Sequence, residues 1–132
     1  MYLIDTNIWL ELLLEQAQAE AVRQFFQRVE TPLLVISEFS LYSIGIILTR
    51  LKKDEVFEDF LSDTIEDSGV VRARLDTEDL KRVLVVRRQF QLDFDDAYQY
   101  VAAAKHGYIL VSFDSDFDRT DRGCKRPHQI AT

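Results

Sequence analysis

Four carboxylates stand at the ends of apolar runs or just before one. Asp5 follows Tyr2-Leu3-Ile4, and Glu38 follows Leu33 to Ile36 with Ser37 between. Asp114 follows the run from Tyr108 to Ser112, and Asp96 opens the segment that leads into that run. Asp116 lies two residues past Asp114. Gathered in one place, such acids would repel: two carboxylates ~5 Å apart at an effective dielectric near 20 cost roughly 3 kcal/mol. Protons or a cation must relieve that cost. With oxygen ligands alone the cation expected is Mg²⁺ or Mn²⁺ in preference to zinc. His106 and His128 lie away from these positions, and Cys124 is the single cysteine, so a His- or Cys-based centre is not expected.

Each acid also has a local explanation. Asp93, Asp95 and Asp96 in "LDFDDAYQY" suit a helix start, where caps and dipole complementarity contribute about 0.3–1 kcal/mol each. Glu38 suits a first helical turn, and Asp114 and Asp116 suit a surface turn. Two further chemistries fail on spacing. A calcium loop starting at Asp114 would need glycine where Arg119 stands and glutamate where Lys125 stands. A phosphatase with an aspartate nucleophile wants a second Asp where this chain has Asn7, which weakens that reading without removing it.

The elements that must position these acids follow from periodicity. Residues 2–5, 33–36, 70–73 and 108–112 read as short strands, with a weak last strand near Gln129 and Ile130. Residues 7–15, 17–29, 37–51, 54–66, 77–91 and 95–106 read as helices, with Ser37 as a cap and Gly107 as a stop. The strands are mostly continuous apolar runs that alternate with helices, the pattern of a mostly parallel sheet covered on both faces. In such α/β folds ligands sit outside the carboxyl ends of the strands. The acids therefore fall on the expected rim.

Composition sets outer limits. The chain has 132 residues, 47% of them hydrophobic and 11% aromatic, enough to bury a core and too apolar for disorder. One domain spanning 1–132 is expected. No run reaches the roughly 18 apolar residues of a membrane span, and no signal-peptide pattern opens the chain, so a soluble cytoplasmic protein is expected. The net charge of −7 argues against non-specific nucleic-acid binding. Two basic clusters run against it: Arg50, Lys52 and Lys53, then Arg119, Arg122, Lys125 and Arg126.

Four motifs in order, "LIDTN", "VISEF", "DDAYQYVAAAKHG" and "LVSFDSDF", resemble the PIN-domain nucleases, above all the toxin ribonucleases of VapBC-type toxin–antitoxin systems. The resemblance covers nearly the whole chain. It implies a PIN-like α/β/α sandwich around a mostly parallel sheet, with metal-dependent cleavage of RNA. It implies Asp5, Glu38, Asp96 and Asp114 as catalytic acids, with Asp5, Asp96, Asp114 and Asp116 on the metal, one ion or two. Glu38 would orient the attacking water or help hold a second ion. Asn7 and Ser112 match polar positions that hold the acids, with Ser112 standing where threonine is commoner.

The resemblance further implies a homodimer and a cognate antitoxin. "NIWLELLLE" and "SEFSLYSIGIILTRL" are too apolar for single helical stripes, so they are expected either deep in the core or on a partner-binding face, and Gly45 would allow close helix approach. Alternatives are a PIN fold that binds RNA or protein without cutting, a free-standing RNA-processing nuclease, and the phosphatase.

Overall fold

The computed structural model describes residues 1–130. Among them run strands β1 (Tyr2–Ile4), β2 (Leu34–Ser37), β3 (Val71–Ala73) and β4 (Ile109–Val111). Helices α1 (Thr6–Leu13), α2 (Ala19–Arg28), α3 (Glu38–Arg50), α4 (Asp54–Phe60), α5 (Thr77–Phe90) and α6 (Phe94–His106) connect and cover them. The sheet order is β3-β2-β1-β4 and every pairing is parallel. No helix of the described residues is long and apolar enough to cross a membrane.

Strand alternation builds the layers. Ile4, Leu34 and Ile36 point into one core with Ile8, Trp9, Phe25, Ile44 and Phe60 from α1 to α4. Leu3, Val35 and Leu110 point the other way, onto Tyr98, Ala102 and Ala103 of α6. Beyond α6, Val83 and Val86 of α5 close a third cluster with Ala97 and Val101. An α/β/α sandwich results, as the strand pattern implied.

Local chemistry sets the element ends. The Asp5 carboxylate accepts from Thr6 N, so the residue that ends β1 also caps α1. Ser37 accepts from Ser40 N and caps α3. Asp76 and Asp79 form a reciprocal capping box on α5. Gly107, at φ 69°, turns the chain out of α6 into β4.

Two elements differ from the expectation. The helix expected over 54–66 widens after Phe60 into a π-helical stretch, Leu61–Glu66, which keeps Leu61 and Ile65 against the core that Phe57 and Phe60 also meet. No strand forms at Gln129 and Ile130: Pro127 starts a 3-10 turn there, Pro127–Gln129. The chain instead lays Lys125 beside β4, with Ser112 N donating to Lys125 O at 2.9 Å and Lys125 N donating to Leu110 O at 2.8 Å.

Helix α3 is buried on one side only. Leu41, Ile44 and Leu48 of α3 are buried, whereas Tyr42, Ile46 and Leu51 are about half exposed. Gly45 does permit a close approach, but to α4 of the same chain: a Cβ there would lie 2.8 Å from Phe57 Cζ.

Candidate functional site

β1 lies between β2 and β4, so Asp5 emerges at the middle of the rim. Its carboxylate is nearly buried and fully engaged. Oδ1 accepts from Thr6 N at 2.8 Å and Gln99 Nε2 at 3.0 Å, and Oδ2 accepts from Ser112 Oγ at 2.7 Å. The Ser112 hydroxyl in turn accepts from Asn7 Nδ2 at 3.2 Å and Asp114 N at 2.9 Å. Asn7 Oδ1 accepts from Phe113 N at 3.3 Å. Asn7 and Ser112 thus tie the end of β1 to the turn after β4, which fixes where Asp114 stands.

Asp96 reaches the same place from the first turn of α6. Asp5, Asp95, Asp96 and Asp114 line one pocket of about 270 Å³, and no Lys, Arg or His lines it. Carboxylate oxygens of Asp96, Asp114 and Asp116 all lie within 4.8 Å of one another. The electrostatics follow from that crowding. Burial, followed by the charges of Asp114, Asp95 and Asp5, pushes the Asp96 carboxyl up to about 8. Burial also raises Asp5, against the hydrogen bonds from Ser112, Gln99 and Thr6 that favour its charged form. Three hard oxygen donors at this spacing, with no protein cation in the pocket, fit Mg²⁺ or Mn²⁺. Asp116 is more open than Asp96 and also pairs with Arg119 at 3.2 Å.

Glu38 does not line that pocket. Its carboxylate turns toward β3, where it meets Arg72 Nη2 and Arg74 Nε, each at 3.3 Å, and accepts from Tyr42 Oη at 2.6 Å. The Tyr42 hydrogen bond, then Arg74 and Arg72, hold it below the usual range. Helical phase is the reason: the face of α3 on the acid pocket is Phe39, Ser43 and Ile47, spaced by four, and Glu38 belongs to the neighbouring row with Tyr42. A hydroxyl, Ser43, stands where an acid was expected.

Sequence reasoning treated Asp95 as a cap and passed over Thr6, Ser43 and Gln99. Gln99 carried a signal: it lies three residues after Asp96, hence on the same helical face. The second basic cluster proves largely occupied with the backbone. Arg119 donates to Phe90 O and Gln91 O, and Arg122 donates to Tyr108 O. A second cavity of about 300 Å³, between α6 and residues 122–125, holds no acid.

Known proteins share this arrangement at the level of fold. FitAB bound to a DNA fragment superposes with a TM-score of 0.85 at 17% identity, covering 100% of this chain and 99% of that one. VapC20 of Mycobacterium tuberculosis, a sarcin–ricin loop cleaving toxin, gives 0.78 at 18% identity over 96% of this chain and 100% of its own. A toxin–antitoxin complex from Klebsiella pneumoniae gives 0.77 at 19% identity over 98% and 100%. A comparison with curated proteins finds no match. The PIN domain family model matches residues 2–123, nearly the entire described chain, and with that match the chain belongs to the PIN domain family.

Proposed function

We propose that this protein is a divalent-metal-dependent endoribonuclease and the toxin of a toxin–antitoxin pair. The observation that carries the reading is the uncompensated acid pocket, in which Asp96 is pushed up to about 8 beside Asp5 and Asp114. Asp96, Asp114 and Asp116, together with Asp5 in the same pocket, would hold Mg²⁺ or Mn²⁺. A bound ion would supply charge to neutralise the phosphodiester and to activate water for attack. Water would add to phosphorus as a pocket carboxylate takes its proton, the bond to the leaving ribose oxygen would break, and that oxygen would leave as the alcohol, taking a proton from the protonated carboxyl or from solvent. Asn7 and Ser112 keep Asp5 and Asp114 in register through this step. Glu38 has no part in it, and a second ion loses the acid that was to hold it.

The metal also reconciles an acidic chain with a polyanionic substrate. For partners, the half-exposed Tyr42 and Ile46 on α3, with Leu51 at its end, offer an apolar face to an antitoxin or to a second copy, and one similar structure is a toxin–antitoxin complex. Purified protein should cleave single-stranded or loop RNA with Mn²⁺ and stop when EDTA is added. Undiminished cleavage in EDTA, or by Asp5→Asn, overturns the reading. Mn²⁺ binding with no cleavage of any RNA would leave the non-catalytic binding module.

A further inference from the structure

Gln99 is 1% exposed, and its side-chain amide is only half satisfied. Nε2 donates to Asp5 Oδ1 at 3.0 Å and to Ser40 Oγ at 2.6 Å, while Oε1 is buried with no hydrogen-bond partner. A buried acceptor without a partner is unusual, so what the fold retains here is the NH₂ group. Turning the amide over would set its carbonyl oxygen against the Asp5 carboxylate. The orientation is therefore settled by charge.

That orientation propagates. Ser40 is fully buried, and its Oγ lies 2.8 Å from Thr6 Oγ1. Ser40 Oγ accepts from Gln99 and keeps its single proton, which in the arrangement inferred below goes to Thr6 Oγ1. The Thr6 oxygen is then an acceptor of Ser40, and its own proton must point elsewhere. Thr6 lines the acid pocket beside Asp5 and Asp114. Beside the four carboxylates of that pocket, a hydroxyl donor suits a phosphate oxygen.

We infer that Gln99 is a positioning residue: it orients Asp5 and, through Ser40, presents the Thr6 hydroxyl as a hydrogen-bond donor to a non-bridging phosphate oxygen of the substrate. The inference rests on the phosphodiester reading above and adds two residues to it. Neither is acidic.

The test combines metal binding with kinetics. Mn²⁺ alone, titrated calorimetrically, should bind Gln99→Leu about 10–100-fold more weakly than the parent, the usual cost of removing a group that orients a ligand. Thr6→Val should bind Mn²⁺ as the parent does. Under Mn²⁺ and RNA saturation, Gln99→Leu and Thr6→Val should each lower kcat, and the double variant should fall no further than Gln99→Leu. Thr6→Ser should recover most of the rate lost in Thr6→Val. Should Gln99→Leu fail to fold, Gln99→Met repeats both measurements with a side chain of similar length. Parental Mn²⁺ affinity and kcat in the Gln99 variants overturn the inference and leave the nuclease reading standing. Multiplicative losses in the double variant overturn the link through Ser40. A parent that neither binds Mn²⁺ nor cleaves RNA overturns the nuclease reading, and the inference with it.

Discussion

Two corners of one sheet rim treat their carboxylates in opposite ways. Beside β3, Glu38 is met by Arg72, Arg74 and Tyr42, all from the same chain. Beside β4, Asp96 meets further acids, and the pocket that holds it has no basic lining residue. The first corner is electrostatically finished when the protein folds. The second is left in deficit, and a deficit of this kind is a demand for a charge from outside. A carboxylate on the right rim is thus not enough to mark a site. What its neighbours fail to supply is the better mark.

The sharpest way to break that contrast is substitution on each side. Asp96→Asn should remove Mn²⁺ binding and lower RNA cleavage by more than about 100-fold. Glu38→Gln should leave both within a few-fold of the parent. An inactive Glu38→Gln that still folds would return Glu38 to the site.

Next in size is the response to pH, which has opposite sign at the two corners. The Asp96 carboxyl rises from an ordinary 3.8 to about 8 on folding. The folded state therefore binds that proton more tightly. The stability this contributes is complete below about 3.8 and is lost as pH climbs through about 8. Melting curves of metal-free protein should show a loss on the order of a few kcal/mol across that window. Mn²⁺ should raise the melting temperature more at pH 8 than at pH 5, where protons already relieve the pocket. Absence of any metal-dependent shift at both values would refute the shared pocket.

A related effect follows for the neutral variant. Metal-free Asp96→Asn at pH 8 should be at least as stable as the parent, because the repulsion is gone. A plain capping role for Asp96 would predict no gain and no change in metal response.

The smallest effect belongs to Glu38. Its folded pKa lies below the usual 4.5, so its contribution is present at neutral pH and disappears as pH falls through the lowered value. Arg72 and Arg74 are well exposed, so solvent screens the cluster, and Glu38→Gln should cost only about 0.2–1 kcal/mol near pH 7. Thermal melts with and without added salt measure it.

Much of this was legible from residues alone. The apolar strands and their alternation with helices carried the layered architecture, because burial on both faces of a parallel sheet leaves an unmistakable run of Leu, Ile and Val. Asp5, Asp96 and Asp114 were legible for the same reason, since each sits within a residue or two of a strand end or helix start. Glu38 satisfies the same rule and faces Arg72 and Arg74 instead of the pocket. Rim position says how far along the fold a side chain lies, whereas helical phase decides which way it faces, and a single residue in a first turn carries no phase. Gln99 and Ser40 were missed because buried polar residues inside apolar helices look like exceptions until their partners are known. The last strand failed at Pro127, where a turn competes with pairing.

The bond from Ser112 to Asp5 joins residues 107 apart in the chain. It has a consequence for how the protein is made. Synthesis proceeds from the N-terminus, and β1 is among the first segments to emerge, yet its partner β4 and the acids that follow come more than a hundred residues later. Until Ser112, Asp114 and Asp116 have left the ribosome, Asp5 has no partner across the rim and the pocket has no second wall. A nascent chain that has not yet released residues 112–116 therefore cannot harbour the finished acid cluster.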